Sequence, residues 1–189
     1  GNLWDTYTYS LIPESSSDNV WDLVLSKPPA TVTPGGSNSL SNIGDAPSVS
    51  VAGGSLIATS NSSVTVPVQL TGTSPATIDA SGNSATFSAP ITSTSNAKLV
   101  IADNKGGGAV TLNAANNVIP GGVALSSGTL AIGDATNPNA SLQADVALSP
   151  ASTLKGHGTI IGTIANNGGV VSPGGSIGTL TVSGNYTQG

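Results

Sequence analysis

The feature that most constrains this chain is a series of very short alternating strands that recurs from one end to the other. Val, Leu and Ile alternate with small polar residues, and Gly-, Asn- and Pro-rich turns separate the strands. The clearest alternation lies at residues 48–52, 63–70, 109–113, 128–132, 145–148 and 178–182. No segment has the apolar period of a helix. The pattern therefore predicts an all-β fold with very little helix.

The spacing of the aliphatic residues favours a parallel β-helix over a β-sandwich. From Leu99 onward, aliphatic pairs recur every few residues, as in Val110/Leu112 and Val123/Leu125. Two or three such strands per turn make a coil of about 20 residues, and stacked coils bury their aliphatics along a shared interior. A sandwich would use longer strands with aromatic core anchors, and this chain has one Phe. We predict a parallel β-helix of about nine coils and roughly 40 to 45 Å in length.

Charge and composition disfavour several kinds of partner. The 189 residues hold four Lys, no Arg and nine acidic residues, for a net charge of −5. Nucleic-acid binding depends on cationic side chains that neutralise phosphates, so no nucleic-acid partner is expected. Cys is absent, which leaves no disulfide or thiolate metal site. No apolar run approaches the roughly 18 residues of a membrane span, so membrane insertion is not expected. The first residue is Gly1 and no signal segment follows it, which suggests a processed product or a fragment.

The last 36 residues carry a dense, ordered motif. They read LKGHGTIIGTIANNGGVVSPGGSIGTLTVSGNYTQG, from Leu154 to Gly189. This segment resembles the passenger-associated repeat of autotransporter (type V secretion) proteins, which runs L-x-G-x-G-T, G-x-[IV], N-x-G, S-P-G, S-I-G-T-L and G-x-Y. The resemblance implies a right-handed parallel β-helix on the surface of a Gram-negative bacterium. Glycines of the motif would adopt positive φ at the corners of the coils. The side chains expected to point inward are Ile160, Ile164, Val170, Ile177, Leu180 and Val182.

The first 27 residues are similar to a second segment of the same family. Tyr7-x-Tyr9-x-Leu11, followed by Trp21-x-Leu23, is similar to the aromatic hairpin that closes the passenger stem. In the family that hairpin lies downstream of the Ser-Pro-Gly repeat, whereas here it lies upstream. Head-to-tail stacking of copies would restore the family order at each junction. The residues expected at such an interface are Trp4, Tyr7, Tyr9, Trp21, Leu23 and Tyr186.

Three segments follow from these patterns. Residues 1–27 form a capping or docking hairpin, and residues 28–47 form a connection rich in Pro, Gly and Ser. Residues 48–189 form the β-helix, with the passenger-type repeat at 154–189.

Residues that could carry chemistry have little supporting context. His157 is the single histidine and has no partner cluster, so it is interpreted as a corner residue. The acids are scattered singly, at Asp45, Asp79, Asp103, Asp134 and Asp145. Calcium at Gly133-Asp134 or Asp103-Asn104 is a weaker interpretation than a turn-forming role, since Asp and Asn bond to their own backbone in turns. No catalytic, metal or cofactor residue is assigned.

The function predicted from the sequence is a non-catalytic extracellular fibre or matrix subunit, assembled head to tail. One alternative is a monomeric adhesin stem that binds a surface glycan or protein. The other is a polysaccharide-active β-helix enzyme, whose active site would be assembled by stacking of coils.

Overall fold

The alternating pattern folds almost entirely into β-structure. The computed structural model describes residues 8–13, 21–26, 28–43, 46–175 and 177–189. Within these ranges the single helical element is a 3-10 helix at Leu40–Asn42. No helix in the described part of the chain has the length and apolar character needed to span a membrane. An antiparallel hairpin comes first, formed by β1 (Thr8–Pro13) and β2 (Trp21–Ser26). This confirms the hairpin predicted near the N-terminus.

The other described strands form three sheets in which every pairing is parallel. Sheet 1 contains β3 (Ala30–Val32), β5 (Val49–Val51), β8 (Val68–Leu70), β11 (Ile91–Ser93), β14 (Asn117–Val118), β17 (Ser141–Gln143), β20 (Thr159–Ile161) and β23 (Thr181–Val182). Sheet 2 contains β4 (Ser37–Ser39), β6 (Gly54–Ile57), β9 (Ala76–Asp79), β12 (Leu99–Ala102), β15 (Val123–Leu125), β18 (Val146–Leu148), β21 (Ile164–Asn166) and β24 (Tyr186–Gln188). Sheet 3 contains β7 (Ser62–Val64), β10 (Ser84–Phe87), β13 (Ala109–Leu112), β16 (Gly128–Ile132), β19 (Ser152–Gly156) and β22 (Val170–Pro173).

The chain visits the three sheets in turn, which makes a parallel β-solenoid and confirms the predicted fold class. The stack holds about 7 coils, so the predicted nine is wrong. Residues 1–27 contribute no strand to the three parallel sheets in the described part of the chain, and the coils are unequal in length. The number of residues between paired positions on adjacent coils varies. It is largest between Thr92 and Val118 and smallest between positions such as Lys155 and Ser172. Eight stacked strands at about 4.8 Å spacing span about 34 Å, shorter than predicted. The right-handed sense stays a prediction.

The first coil begins earlier than the segments drawn from the sequence. β3 and β4 lie within residues 28–47, which the sequence pattern presented as a connection. Both strands are hydrogen-bonded into the solenoid, β3 to β5 and β4 to β6. The 3-10 helix at Leu40–Asn42 stands where later coils have a strand of sheet 3, and its Leu40 is buried.

The core is a stack of aliphatic columns. In sheet 2, Leu99, Val123, Val146 and Ile164 follow one another on successive coils, and each is at most 2% exposed. Burying a side chain of this size contributes about 1.5 to 3 kcal/mol, and each coil covers its neighbour. Phe87, the one Phe of the chain, is fully buried in the same interior. Stability therefore comes from aliphatic stacking between coils.

Glycine at the corners serves close stacking as well as unusual backbone angles. Gly156 has the predicted positive φ, at 130°. Gly162 does not, yet a Cβ there would collide with the backbone of Ala144 on the preceding coil. Gly184 meets the backbone of Gly162 in the same way one coil later. These corners need glycine because two backbones approach each other without room for a side chain.

The inward positions expected in residues 154–189 divide into two groups. Ile160 and Ile164 are buried, as predicted. Val170 is 56% exposed and Ile177 93% exposed, so the expectation for these two is wrong. Val171, and not Val170, pairs with the buried Leu154, so strand alternation directs Val170 outward. Ile177 lies in the loop between β22 and β23. Leu180 and Val182 pack against the core while remaining partly exposed.

Candidate functional site

Two aspartates, Asp79 and Asp103, form a densely hydrogen-bonded corner of the solenoid. Asp103 follows β12 and accepts hydrogen bonds from the backbone N–H groups of Gly108 at 2.6 Å, Gly106 at 3.1 Å and, on the preceding coil, Gly82 at 2.7 Å. Asp79 is the last residue of β9 and accepts from the N–H of Ser81 in its own turn. Each side chain thus holds its own turn and the turn of a neighbouring coil.

The reciprocal contact comes from Asn104. Its backbone N–H and its side-chain Nδ2 both donate to the Asp79 carboxylate, at 3.1 and 2.6 Å. Asp79 therefore binds the turn of the next coil, and Asp103 binds the turn of the preceding coil, so the two stacked corners are joined by both side chains. In the sequence these acids look isolated, but one coil of about 24 residues separates them, which is the signal that could have paired them.

The backbone donors keep Asp103 ionised. Burial acts to raise its pKa, but hydrogen bonds from the amides of Gly108, Gly82, Gly106 and Lys105 outweigh burial and hold the pKa below its ordinary value. Asp103 is only 7% exposed, so these donors replace the water that its carboxylate loses.

Asp134 organises the loop between β16 and β17 in a similar way. Its Oδ1 accepts from the hydroxyl of Thr136 at 2.6 Å, from the backbone N–H groups of Thr136 and Asn137 at 2.9 Å, and from Asn137 Nδ2 at 2.8 Å. Its Oδ2 accepts from Asn113 Nδ2 of the preceding coil at 2.7 Å. These hydrogen bonds hold the pKa of Asp134 well below its usual range, and the bond from the Thr136 hydroxyl has the largest effect.

The surroundings of both acids favour the turn-forming interpretation over calcium. Calcium requires a shell of oxygen ligands. At Asp103 and Asp134 the carboxylate oxygens instead face N–H and O–H donors. In the described ranges, no three His, Cys, Asp or Glu side chains come close enough together to hold a metal ion.

Buried amides link coils at two further places. Asn117 is fully buried in β14. Its Oδ1 accepts from the N–H of Ile91 on the preceding coil, and its Nδ2 donates to the carbonyl of Ser141 on the next. Asn166, at the end of β21, is 2% exposed and donates to the Tyr186 hydroxyl and to Gln188 Oε1, both at 2.9 Å. Asn166 therefore fastens the last strand of sheet 2 to the coil beneath it.

The two ends of the solenoid differ in how well they are covered. In the first coil Ala30, Val32 and Ile43 are at most 5% exposed. In the last coil Val171, Leu180 and Val182 pack against the core but are partly exposed. Among the described strands, β22, β23 and β24 pair on one side only, as β3, β4 and β7 do at the other end, so three parallel edges are open here. Such edges can accept further strands.

The residues predicted for an interface fall in different parts of the molecule. Trp4 and Tyr7 lie outside the described residues. Tyr9, Trp21 and Leu23 lie on the hairpin, of which the structure describes the backbone. Its register pairs Tyr9 with Leu25, Leu11 with Leu23 and Pro13 with Trp21. This register is the described basis for treating the hairpin as one docking element.

Tyr186 is the one predicted interface residue whose side chain is described. It lies on β24 at the open end and is 48% exposed. Its hydroxyl donates to Gln188 Oε1 at 2.6 Å, while its position on the edge strand leaves it accessible.

His157 has a structural role that the sequence pattern only partly revealed. It occupies the corner after β19, as expected. Its Nε2 accepts the backbone N–H of Gly175 at 3.0 Å, and Gly178 lies directly against the ring. The ring therefore holds the loop after β22 in place. This contact occupies Nε2 with a hydrogen bond of the fold.

A groove of about 300 Å³ runs along the outer face of sheet 3, between these two corner loops. Its floor is formed by Thr86, Thr111, Ala131 and Lys155, which pair in that order on four successive strands. One wall contains Asp134 and the other contains His157, Gly175 and Ile177.

The fold and these corners define the class of protein: a three-sheet parallel β-solenoid whose polar side chains brace the stacked turns. No protein-family model, no curated protein and no solved structure matches this chain.

Proposed function

We propose that this chain is a non-catalytic structural subunit of an extracellular fibre or matrix, assembled by head-to-tail stacking of solenoids. The observation that carries the proposal is the open end of the stack. Three parallel edge strands lie there together with incompletely covered aliphatics, whereas the aliphatic side chains of the first coil are buried. A second copy stacked on this end would extend the sheets and cover Leu180 and Val182.

The hairpin supplies the surface for this contact. Its register pairs Tyr9 with Leu25, Leu11 with Leu23 and Pro13 with Trp21. In the proposed assembly, the hairpin of one copy docks on β23 and β24 of the next. That arrangement is the one implied by the resemblance to autotransporter passengers, which also suggests the surface of a Gram-negative bacterium as the location. The low content of charged residues, 7%, adds little repulsion between copies.

The polar side chains described above support a structural role over a catalytic one. Asp79, Asp103 and Asp134 hold backbone amides, and His157 holds a loop. Each therefore has a function in bracing the fold.

The test is negative-stain electron microscopy with light scattering over a concentration series. The proposal expects filaments that lengthen with concentration. Short rods of about 34 Å that never grow would contradict it.

A variant at the open edge makes the test specific. The amides of Thr181 and Ser183 donate to the preceding coil, so alternation directs the Val182 N–H toward the open edge. Val182→Pro removes that donor without removing a hydrogen bond of the folded chain, and filaments should be lost while the circular dichroism spectrum is kept. Ile161→Lys is the control, because Ile161 is 47% exposed on the side of the stack. Filaments that persist in Val182→Pro would contradict end-to-end stacking.

A further inference from the structure

We propose that the groove on sheet 3 binds a short neutral oligosaccharide. This inference does not rest on the proposed assembly, since the groove lies on the side of the solenoid. Its volume of about 300 Å³ is at the lower end of the range for small-molecule sites. Its floor crosses four strands and is about 14 Å long, which suits an extended ligand of a few sugar rings.

The floor offers polar groups that the fold does not use. Thr86 and Thr111 alternate with the buried Ala85, Phe87, Val110 and Leu112, so their side chains face outward. Among the side-chain hydrogen bonds and ion pairs between described residues, none involves Thr86, Thr111 or Lys155. Two hydroxyls and an ammonium group can therefore hydrogen-bond to sugar hydroxyls. Ala131 lies between Thr111 and Lys155 as a small apolar side chain, 5% exposed, between the polar residues of the floor.

The walls are held in position before any ligand arrives. Asp134 accepts five hydrogen bonds and fixes the loop on one side. On the other side His157 holds Gly175, and Gly174 N–H donates to the Gly156 carbonyl at 2.7 Å. A site prepared in this way loses little conformational freedom on binding.

The charge balance selects a neutral ligand over an acidic one. Lys155 is the one cation of the lining and Asp134 the one carboxylate. The chain as a whole carries a charge of −5, which repels polyanions. Ile177, 93% exposed on the rim, provides an apolar surface for the C–H faces of a sugar.

The experiment is isothermal titration calorimetry of the whole chain with four probes: cellotriose, maltotriose, mannotriose and the acidic trigalacturonate. We expect saturable binding of at least one neutral trisaccharide and none of trigalacturonate. Thr111→Val keeps the shape of the floor but removes a hydroxyl, and Lys155→Gln removes the cation. Each should weaken binding by about tenfold, the effect of one lost hydrogen bond to a ligand.

Two variants outside the groove serve as matched controls. Thr77→Val changes an outward threonine of sheet 2, and Lys105→Gln changes an exposed corner lysine. Both should bind as the parent chain does. The proposal is overturned if no neutral probe binds, if trigalacturonate binds more tightly, or if the groove variants bind as well as the controls. Filament formation is a separate measurement, so the failure of one proposal leaves the other standing.

Discussion

The central coils (residues 46–166) and the C-terminal coil (residues 167–189, described except for residue 176) are built from the same residue types but differ in burial. In the central coils Leu99, Leu125 and Leu130 are fully buried, each with a coil above and below it. In the C-terminal coil Leu180 and Val182 have a coil on one side only and remain partly exposed. A coil of a solenoid thus obtains much of its stability from its neighbours. The free energy of unfolding should be distributed accordingly.

The largest expected contrast is between two leucine deletions. Leu130→Ala empties a fully buried position and should lower the free energy of unfolding by about 3 to 4 kcal/mol. Leu180→Ala removes a partly exposed side chain and should cost about 1 kcal/mol. Urea titrations of both variants followed by circular dichroism would measure the difference. Equal losses would contradict the one-sided packing of the last coil.

The next largest effect concerns the aspartate corner of the central coils. Asp103→Asn replaces one carboxylate oxygen with an NH₂ group that faces backbone N–H donors. The loss of a charged acceptor in a buried corner should cost about 2 to 3 kcal/mol. Asp145→Asn is the matched control: Asp145 accepts only from Thr163, on the surface, and the loss should be clearly smaller. The same urea titration applies, and a control that equals Asp103→Asn would refute the role assigned to the corner.

Acid should weaken the central coils first. The pKa values of Asp103 and Asp134 are lowered from 3.8 in the folded chain. Their stabilising effect is therefore complete above about pH 4 and is lost as the pH falls through the lowered values. Residues 167–189 contain no acidic side chain. Hydrogen exchange between pH 5 and pH 2 should show the corners near residues 82 and 106 losing protection before any additional opening of the last coil. Asp103→Asn should reduce this dependence on pH.

The smallest expected effect lies in the C-terminal coil itself. Gln188→Ala removes the acceptor shared by Tyr186 and Asn166. On an exposed strand this should cost about 0.5 kcal/mol. Exchange of the amides of β24 should become faster, while that of the central coils stays unchanged. A global loss of protection would mean that the last coil supports the whole stack.

Much of the fold was predictable because alternation and turn residues are local properties. The strand pairs Val110/Leu112 and Val123/Leu125 are inward-facing as their spacing indicated, and the Tyr-Trp segment forms a hairpin. Coil number was not predictable, because unequal turn lengths shift the register from coil to coil.

The groove could not be predicted from the sequence for a similar reason. Thr86, Thr111, Ala131 and Lys155 are far apart along the chain and meet only because their strands stack. The two loops that form its walls come from different coils. No local sequence pattern indicates that the floor residues stack or that these two loops lie on either side of them.

The sequence by itself determined that this chain is a β-solenoid, because period-two alternation with short turns allows few other ways to bury its aliphatics. Tertiary structure alone decided which polar residues work together. Asp79 meets Asn104, and His157 meets Gly175, only after a full coil has returned each strand to the same face. Tertiary structure also decided that Val170 faces outward and that the last coil is left open. Both properties depend on the coil above or below, and not on the residues that are adjacent in sequence.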